Sequence, residues 1–531
     1  MKKRMLRLVA ALLVVCLCFS GCSLPESWVD WLLDLYRTTS FSQMEYQRPD
    51  LAALEALAEE CEKLSENEDN FGALEDKIAE YSTQIADFQT DYALAYIHYC
   101  QNMSDSYWEG EYHYCEERTA TVQAVNDRLL HKLAASSHRD ALEASLGEGW
   151  YEDYEGESMY TEELQALLEQ ESQLVVQYYE IYSESMDMDL DEAFFTEYGI
   201  QMEQLYVELV TVRQQIAREA GYDSYADYAY DSTFRRDYTV SQADAYCEEI
   251  RRELVPLYIS LSTRDPMEVS SSSEQETYDH VRTMAGNMGG VIEEAFAHMS
   301  KYELYDLSMG ENKFDGSYEV YLLNYHQPYV FVGTGGTAQD RLTFTHEFGH
   351  FCNEYASYGS MAGIDVAEIF SQGLEYLSLN YIGDAQELEK IKLAESLIVY
   401  VEQAAYASFE HQVYELPAEE LTVENIRALF QRTGTNFGLD SWGFDSRIYV
   451  LIEHFFSQPC YVISYVVSND AAMQLYQLEE ETKGAGLKIY TDTLATEQEG
   501  LMGYLEEAGL ESPFKEGRMV EVKDTLHTIL Q

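Results

Sequence analysis

The stretch TAQDRLTFTHEFGHFCNEY, residues 337–355, contains His346, Glu347 and His350 in the pattern HExxH. Residues four apart on a helix lie one turn apart on the same face, with Cβ atoms about 6 Å apart. Two imidazoles placed this way can bind one zinc ion at about 2.0–2.1 Å. Glu347 is then the candidate general base that takes a proton from a zinc-bound water. The pattern therefore predicts a helix that carries a catalytic metal site with one zinc per chain.

The two histidines need a third ligand from another part of the chain. Glu354 lies eight residues past His346, about 12 Å along a helix axis, so it cannot join both histidines at one ion. The next helical stretch, residues 366–382, carries Glu368 and Glu375 on one face. Either could be the ligand, and the other could then orient an imidazole through its free N–H. Two His, one Glu and an open position form a catalytic zinc arrangement.

The segment before this helix has the period of β-strands. Three short strands are predicted, at residues 302–308, 318–324 and 327–332. We expect residues 328–332 to form an edge strand that pairs with an extended peptide by main-chain hydrogen bonds. Thr337 and Asp340 resemble a capping box that starts the zinc helix. Phe348 and Gly349 suit a helix packed tightly against the sheet.

The rest of the chain has helical periodicity. Leucines recur at helical spacing with acidic residues between them, as in LAALEALAEECEKL from Leu51. Further helices are predicted at residues 161–182, 187–221, 241–260 and 274–300. The chain has 96 Asp+Glu against 33 Lys+Arg, a formal net charge of −63. This charge excludes a nucleic-acid binder, which needs a basic surface. Since 46% of the residues are hydrophobic, there is material for a core and disorder is not expected.

The first 22 residues predict export. Residues 1–21 combine a basic start with an apolar run that is short for a membrane span, as in a secretory signal. FSGC, residues 19–22, resembles a bacterial lipobox, so cleavage before Cys22 and lipidation of its thiol are expected. An ordinary signal peptide is the alternative. The expected location is the outer face of the cytoplasmic membrane, anchored by lipid. Six cysteines are expected as buried free thiols: Cys61, Cys100, Cys115, Cys247, Cys352 and Cys460.

HEFGH and its surroundings resemble the oligoendopeptidase F and thimet oligopeptidase family of zinc metallopeptidases. AEIFSQ at residues 367–372, followed by Leu374 and Glu375, is similar to the segment that supplies the family's third ligand. The resemblance implies that Glu368 is the ligand and Glu375 its helper. Upstream, residues 216–228, with Ile216-Ala217 and GYDSYADY, are similar to another family segment. The resemblance covers roughly residues 190–480 and rests on helical character alone before that.

A downstream stretch with His454, Tyr461 and Tyr465 is similar to the family's His–Phe and Tyr-rich segment. The resemblance implies that this His and one or more Tyr bind the substrate carbonyl and the developing oxyanion, with Tyr465 favoured over Tyr461. It also implies a mainly α fold, in which two helical lobes surround a deep substrate channel and a small β-sheet lies beside the zinc helix. The expected division is a signal peptide at 1–21, an N-terminal helical lobe at 22–190 and a catalytic region at 191–531.

The function expected from these features is hydrolysis of internal bonds of short peptides by a zinc-dependent oligoendopeptidase. Two alternatives stay open. A zinc carboxypeptidase or dipeptidyl carboxypeptidase would need a cationic group near the channel to hold the substrate C-terminus, and Arg341, Arg432 and Arg447 are candidates. A non-catalytic peptide-binding lipoprotein is the alternative from another class, but the intact HExxH argues against it.

Overall fold

The computed structural model describes residues 37–146, 149–151, 154, 161–185, 188–264, 268–359, 362–383, 385–496 and 498–529. The predicted signal peptide and Cys22 lie outside these residues. Within the described ranges, no helix is long and apolar enough to span a membrane. The six cysteines expected as buried thiols are free and buried.

Helices precede and follow a small sheet. The helices before the sheet are α1 (Leu51–Ser65), α2 (Phe71–Gln101), α3 (Ser106–Glu116), α4 (Thr119–Ala134), α5 (Glu143–Leu146), α6 (Glu162–Ser185), α7 (Glu192–Phe194), α8 (Ile200–Glu219), α9 (Tyr225–Tyr228), α10 (Val240–Glu253), α11 (Val255–Ser262), α12 (Glu274–Met288) and α13 (Gly290–Lys301). Those after it are α14 (Gln339–Ser357), α15 (Ile364–Ser378), α16 (Gln386–Ile398), α17 (Ala404–Tyr414), α18 (Val423–Asn436), α19 (His454–Ser457), α20 (Ile463–Glu481), α21 (Ala485–Asp492), α22 (Leu501–Ala508) and α23 (Arg518–Ile529).

Side-chain caps and glycines determine where these helices begin and end. The Asp50 carboxylate caps α1 by accepting a hydrogen bond from Ala53 N–H at 3.1 Å. Residues 274–300 were predicted as one helix, and this prediction is wrong. The chain breaks between α12 and α13 because Gly289 has a φ of 71°, a left-handed conformation that glycine adopts without steric cost. Serine and glutamate form a full capping box at the start of α12, at Ser273 and Glu276.

The start of α14 differs from the predicted capping box. The helix begins at Gln339, and Thr337 makes no side-chain cap. The Asp340 carboxylate instead accepts hydrogen bonds from three backbone N–H groups, those of Gly335 at 3.0 Å, Gly336 at 2.8 Å and Thr337 at 3.2 Å. Of the two hydrogen bonds of a capping box, only the one from the Thr337 backbone N–H to the Asp340 carboxylate is therefore present. The same carboxylate also fixes the glycine-rich loop that leads into α14.

The sheet has three strands, β1 (Tyr305–Asp306), β2 (Tyr318–Leu322) and β3 (Gln327–Phe331), in the order β1-β3-β2. β3 runs parallel to β1 and antiparallel to β2. The prediction that residues 328–332 form an edge strand is wrong, because β3 lies in the centre and every one of its residues is buried. Since its main-chain groups already face two strands, it cannot pair with a peptide. β2 lies at an edge of this sheet.

Helix α14 makes its closest contact with α15 rather than with the sheet. A Cβ atom on Gly349 would lie 2.6 Å from the Phe370 carbonyl oxygen and 2.6 Å from the Ser371 Cα. The ring of Phe348 meets Phe296 of α13 edge to face, with centroids 5.7 Å apart. Gly349 thus admits the α15 backbone and Phe348 packs on α13, and the helix also packs against β2 and β3, as expected.

Helix α15 is held between α14 and α20. Gln372 donates to the Tyr465 carbonyl at 3.1 Å and to Ser468 Oγ at 2.8 Å. Tyr376 donates to Asn469 Oδ1 at 3.1 Å. These bonds satisfy polar groups inside the main core, which would otherwise lose their hydrogen bonds to water. The predicted mainly α fold with a small sheet beside the α14 helix is confirmed.

Replacing Gly349 with Ala should destabilise the protein by about 1–3 kcal/mol, since the added methyl group forces two packed backbones apart. Urea unfolding followed by circular dichroism measures the change. Gly286, inside α12, is the matched control: a Cβ there meets nothing within 4 Å, so Gly286→Ala should leave stability unchanged or raise it by up to about 1 kcal/mol. Equal midpoints for the two variants would show that the α14–α15 contact can relax freely.

Candidate metal centre and active site

The structure brings three predicted ligands together. The donor atoms of His346, His350 and Glu368 all lie within 4.8 Å of one another. Glu368 Oε2 is 3.3 Å from His346 Nε2 and 3.7 Å from His350 Nε2. Ligands at about 2.0–2.1 Å from a tetrahedral zinc lie about 3.3–3.4 Å apart. The donor set and its spacing therefore fit a zinc ion, with α14 supplying both imidazoles and α15 the carboxylate.

Glu375 lies behind His346, on the side away from Glu368. Its Oε1 is 2.9 Å from His346 Nδ1, and its Oε2 is 2.8 Å from the ammonium group of Lys392. A carboxylate at Nδ1 favours the tautomer that leaves Nε2 free to bind a metal. Lys392, from α16, was not singled out from the sequence, where it is one of several lysines in an ordinary helical pattern. Only its buried position beside Glu375 identifies it.

Glu368 is fixed by two hydroxyl groups. Ser371 Oγ donates to Oε2 at 2.8 Å, and the Tyr461 hydroxyl donates to Oε1 at 2.6 Å. Burial alone would raise the pKa of Glu368, but the neighbouring histidines and the Tyr461 hydroxyl lower it to about 2. The carboxyl group is therefore ionised at neutral pH, as a metal ligand must be.

Glu347, the candidate base, lies beside the ligand cluster. Burial raises its pKa to about 8, and the negative charges of Glu368 and Glu375 add to this against the opposing effect of His346. A cation bound by the cluster would lower this pKa by favouring the charged form. A carboxyl group whose pKa lies near the working pH can both take and return a proton.

The rings of His454, Tyr461 and Tyr465 contact one another, with centroids 5.0–5.7 Å apart. Tyr465 Oη is 3.2 Å from His454 Nε2, whereas the Tyr461 hydroxyl is bonded to Glu368. Burial lowers the pKa of His454 to about 4, so its imidazole is neutral at pH 7. Of the two tyrosines, Tyr465 is the one that makes no hydrogen bond to a carboxylate.

The short helix that carries His454 is held by a residue that was not singled out from the sequence. Arg213, fully buried on α8, donates to the carbonyl oxygens of Phe455, at 2.5 Å, and Phe456. Its Nε also pairs with Glu171 of α6 at 2.6 Å. Arg213 lies near the GYDSYADY segment noted above, but no local pattern indicates that it reaches the His454 turn.

One cavity of about 460 Å³ is lined by the predicted ligands, the candidate base and the oxyanion candidates: His346, His350, Glu368, Glu347, His454, Tyr461 and Tyr465. Its wall is built by α2, the start of β2, α14, α15 and α20, with Tyr96, Tyr318, His350, Glu368 and Tyr465 as examples. The described residues that line it include no lysine or arginine.

The three arginines considered as anchors for a substrate C-terminus do not line this cavity. Arg341 bonds Ser272 Oγ at 3.0 Å, and Arg447 pairs with Asp445 at 2.8 Å. Arg432 is exposed on α18. The structure therefore brings together the residues predicted to bind the metal, act as the base and bind the oxyanion. The three arginines lie outside this cavity.

Comparison with known proteins agrees with this architecture. Residues 41–159 match the family model described as the Peptidase M3 N-terminal domain. The match lies in the N-terminal part of the chain, where the sequence resembled the peptidase family only in its helical character. No curated protein matches the chain.

Solved structures share the fold over almost their whole length. PZ peptidase A with inhibitor 2 is 19% identical, with a TM-score of 0.81 over 92% of this chain and 99% of that one. A protein designated oligoendopeptidase F from Bacillus anthracis is 21% identical, with a TM-score of 0.79 over 93% and 98%. A second structure with that designation is 21% identical, with a TM-score of 0.81 over 93% and 99%. The chain thus carries a Peptidase M3 N-terminal domain and has the fold of oligoendopeptidase F, as its sequence motifs predicted.

Proposed function

We propose that the chain is a zinc-dependent oligopeptidase that hydrolyses internal bonds of short peptides. The observation that carries this proposal is the meeting, in one cavity, of a zinc-compatible His346–His350–Glu368 cluster and the buried carboxyl group of Glu347. The M3 N-terminal domain and the fold support a peptidase.

The proton chemistry is assigned to Glu347. A zinc ion held by the cluster would act as a Lewis acid and lower the pKa of a water molecule. The Glu347 carboxylate accepts that proton and returns it to the amine that leaves as the peptide bond breaks. Its burial supports this role, because a proton held in a site shielded from bulk water is less readily lost to solvent.

The developing oxyanion is assigned to Tyr465, with His454 as its partner. A fixed donor aimed at an oxyanion is worth typically about 100- to 1,000-fold in rate. The bond of Tyr461 to Glu368 supports a different role for Tyr461, which orients the ligand carboxylate. Tyr465 makes no such bond and lines the cavity.

The edge strand β2 and the charge of the cavity lining support cleavage of internal bonds of extended peptides. β2, an edge strand with Tyr318 and Glu319 in the cavity wall, replaces β3 as the strand that a peptide could lie along. A carboxypeptidase would need a cation for the substrate's terminal carboxylate, and the described lining has no Lys or Arg. The oligoendopeptidase alternative is therefore the one that this lining supports.

We also propose that the enzyme is exported and held at the outer face of the cytoplasmic membrane through a lipid on Cys22. The support is the signal-like sequence of residues 1–21 and the lipobox-like FSGC that follows.

Glu347→Gln should keep the bound zinc and lower peptide cleavage by at least about 100-fold, because the amide cannot take the proton. Metal content and turnover of an internally quenched peptide, with and without chelator, measure the two effects. The peptide is blocked at its C-terminus, and mass spectrometry of the products identifies the bond cut. Substantial activity of the zinc-loaded variant would contradict the mechanism, and failure to cut the blocked peptide would contradict endopeptidase action.

Glu375→Gln should weaken zinc binding by about 10- to 100-fold, because His346 loses the carboxylate that orients it. Competition with a zinc-sensitive dye measures the affinity. Glu481, exposed at the end of α20, offers a charge-matched control, and Glu481→Gln should bind zinc as the parent does. Unchanged affinity in a folded Glu375→Gln variant would remove Glu375 from the metal site.

Cys22→Ser should release the protein from the membrane fraction of a bacterial host that lipidates exported proteins. The neighbouring change Ser23→Ala serves as the control and should leave the distribution unchanged. Mass spectrometry of the parent's N-terminal peptide measures the modification directly. An unmodified Cys22, or a chain that retains residues 1–21, would contradict the anchor.

A further inference from the structure

Five glutamates line the cavity: Glu319, Glu347, Glu354, Glu368 and Glu453. Three of them are accounted for. Glu368 is a predicted ligand, Glu347 is the proposed base, and Glu453 accepts a hydrogen bond from the Tyr179 hydroxyl. Glu319 and Glu354 have no such role. Glu319 Oε1 and Glu354 Oε2 are buried and have no hydrogen-bond partner, and neither residue forms an ion pair within the described part of the chain.

The two residues join the cavity wall from different elements. Glu319 belongs to β2, where it is paired with Val330 of β3, and Glu354 follows His350 by one turn of α14. Both side chains are only partly buried and line the cavity, so their accessible surface faces it. Burial raises the pKa of Glu354 to about 7. Burial, together with the charges of Glu354 and Glu347, raises the pKa of Glu319 well above its ordinary value.

Such a pair is costly when nothing binds it. A buried carboxyl oxygen without a partner loses its hydrogen bonds to water, and two neighbouring carboxylates repel each other. A ligand that carries positive charge and N–H donors would bond the accessible part of each carboxyl group and cancel the repulsion between them. A peptide substrate can supply such a group, and the protein itself supplies none in the described lining.

We propose that Glu319 and Glu354 form a subsite for a cationic group of the peptide substrate, either a Lys or Arg side chain or the N-terminal ammonium. This inference rests on the proposed peptidase function and deepens it by naming the substrate class. Glu319 and Glu354 line the same cavity as Glu347, which places the subsite beside the proposed base. A peptide lying along β2 would bring one of its residues to Glu319.

A second metal site fits the same residues less well. Among the described residues, His346, His350 and Glu368 are the only group of three or more His, Cys, Asp or Glu whose donor atoms could meet at one ion. Glu319 and Glu354 thus lack a third side-chain ligand. Ammonium and guanidinium groups, by contrast, form strong charge-assisted hydrogen bonds with one or two carboxylates.

The first experiment compares substrates. A lysine is moved through each position of a neutral quenched peptide and compared with norleucine at the same position, and each peptide is made with a free and an acetylated N-terminus. The parent enzyme should prefer one cationic arrangement by about tenfold or more in kcat/KM, the size expected for a charge-assisted bond. Preference for lysine at one position identifies a side-chain subsite, and preference for the free N-terminus identifies an ammonium subsite.

The second experiment removes the subsite. The double variant Glu319→Gln, Glu354→Gln keeps the side-chain shapes and should lose the preference, so that its kcat/KM for the cationic peptide falls to the value for the neutral peptide. Glu424→Gln, on the exposed face of α18, changes the charge elsewhere and should keep the preference. A parent enzyme with no preference for a cationic group at any position would overturn the inference. A double variant that retains the preference would also overturn it.

A binding measurement separates this inference from the proposed function. Calorimetry with the Glu347→Gln variant compares the favoured cationic peptide with its neutral counterpart, and the cationic peptide should bind about tenfold more tightly. If the parent enzyme cleaves no peptide but this difference persists, the peptidase proposal fails and the subsite stands. If neutral peptides are cleaved but the difference is absent, the subsite fails alone.

Discussion

The close approach of α14 and α15 at Gly349 is the constraint on which the candidate metal site depends. The absence of a side chain there lets the α15 backbone lie against α14 at the level of the two histidines. Glu368 then reaches His346 and His350 from the facing helix. A larger residue would move Glu368 outward, and the carboxylate could no longer share an ion with both imidazoles. The backbone contact therefore sets the spacing that a tetrahedral ion requires.

A chain of polar contacts extends from this site into the protein. Lys392 contacts Glu375, Glu375 contacts His346, and Tyr461 and Ser371 hold Glu368 from the other side. Every member is buried or partly buried, so each contact acts in a medium that screens charge weakly. The ligands are thereby oriented by the protein before an ion arrives. Preorganisation of this kind reduces the free energy spent on arranging ligands when the ion binds.

The sequence predicted which residues of neighbouring helices meet at the candidate site better than it predicted the long-range contacts. HExxH, Glu368 and Glu375 could be recognised because helical spacing and motif similarity are encoded within a few residues. The order of the strands could not, since β1 joins β3 by a parallel pairing that skips β2. Glu354 was set aside because it cannot reach the metal with both histidines. Its proximity to Glu319 depends on how β2 packs beside α14, which no pattern in either segment encodes.

The contacts of Arg213 have a consequence for how the protein folds. This side chain joins α8 to the carbonyl of Phe455, 242 residues away in sequence, and also to Glu171 on α6. The turn that carries His454 is therefore held by residues that the ribosome makes much earlier. Contacts of such long separation form late, because the intervening chain must first lose its freedom. We expect the His454 side of the cavity to assemble after the helices around Arg213 have docked, so that a complete active site appears only near the end of folding.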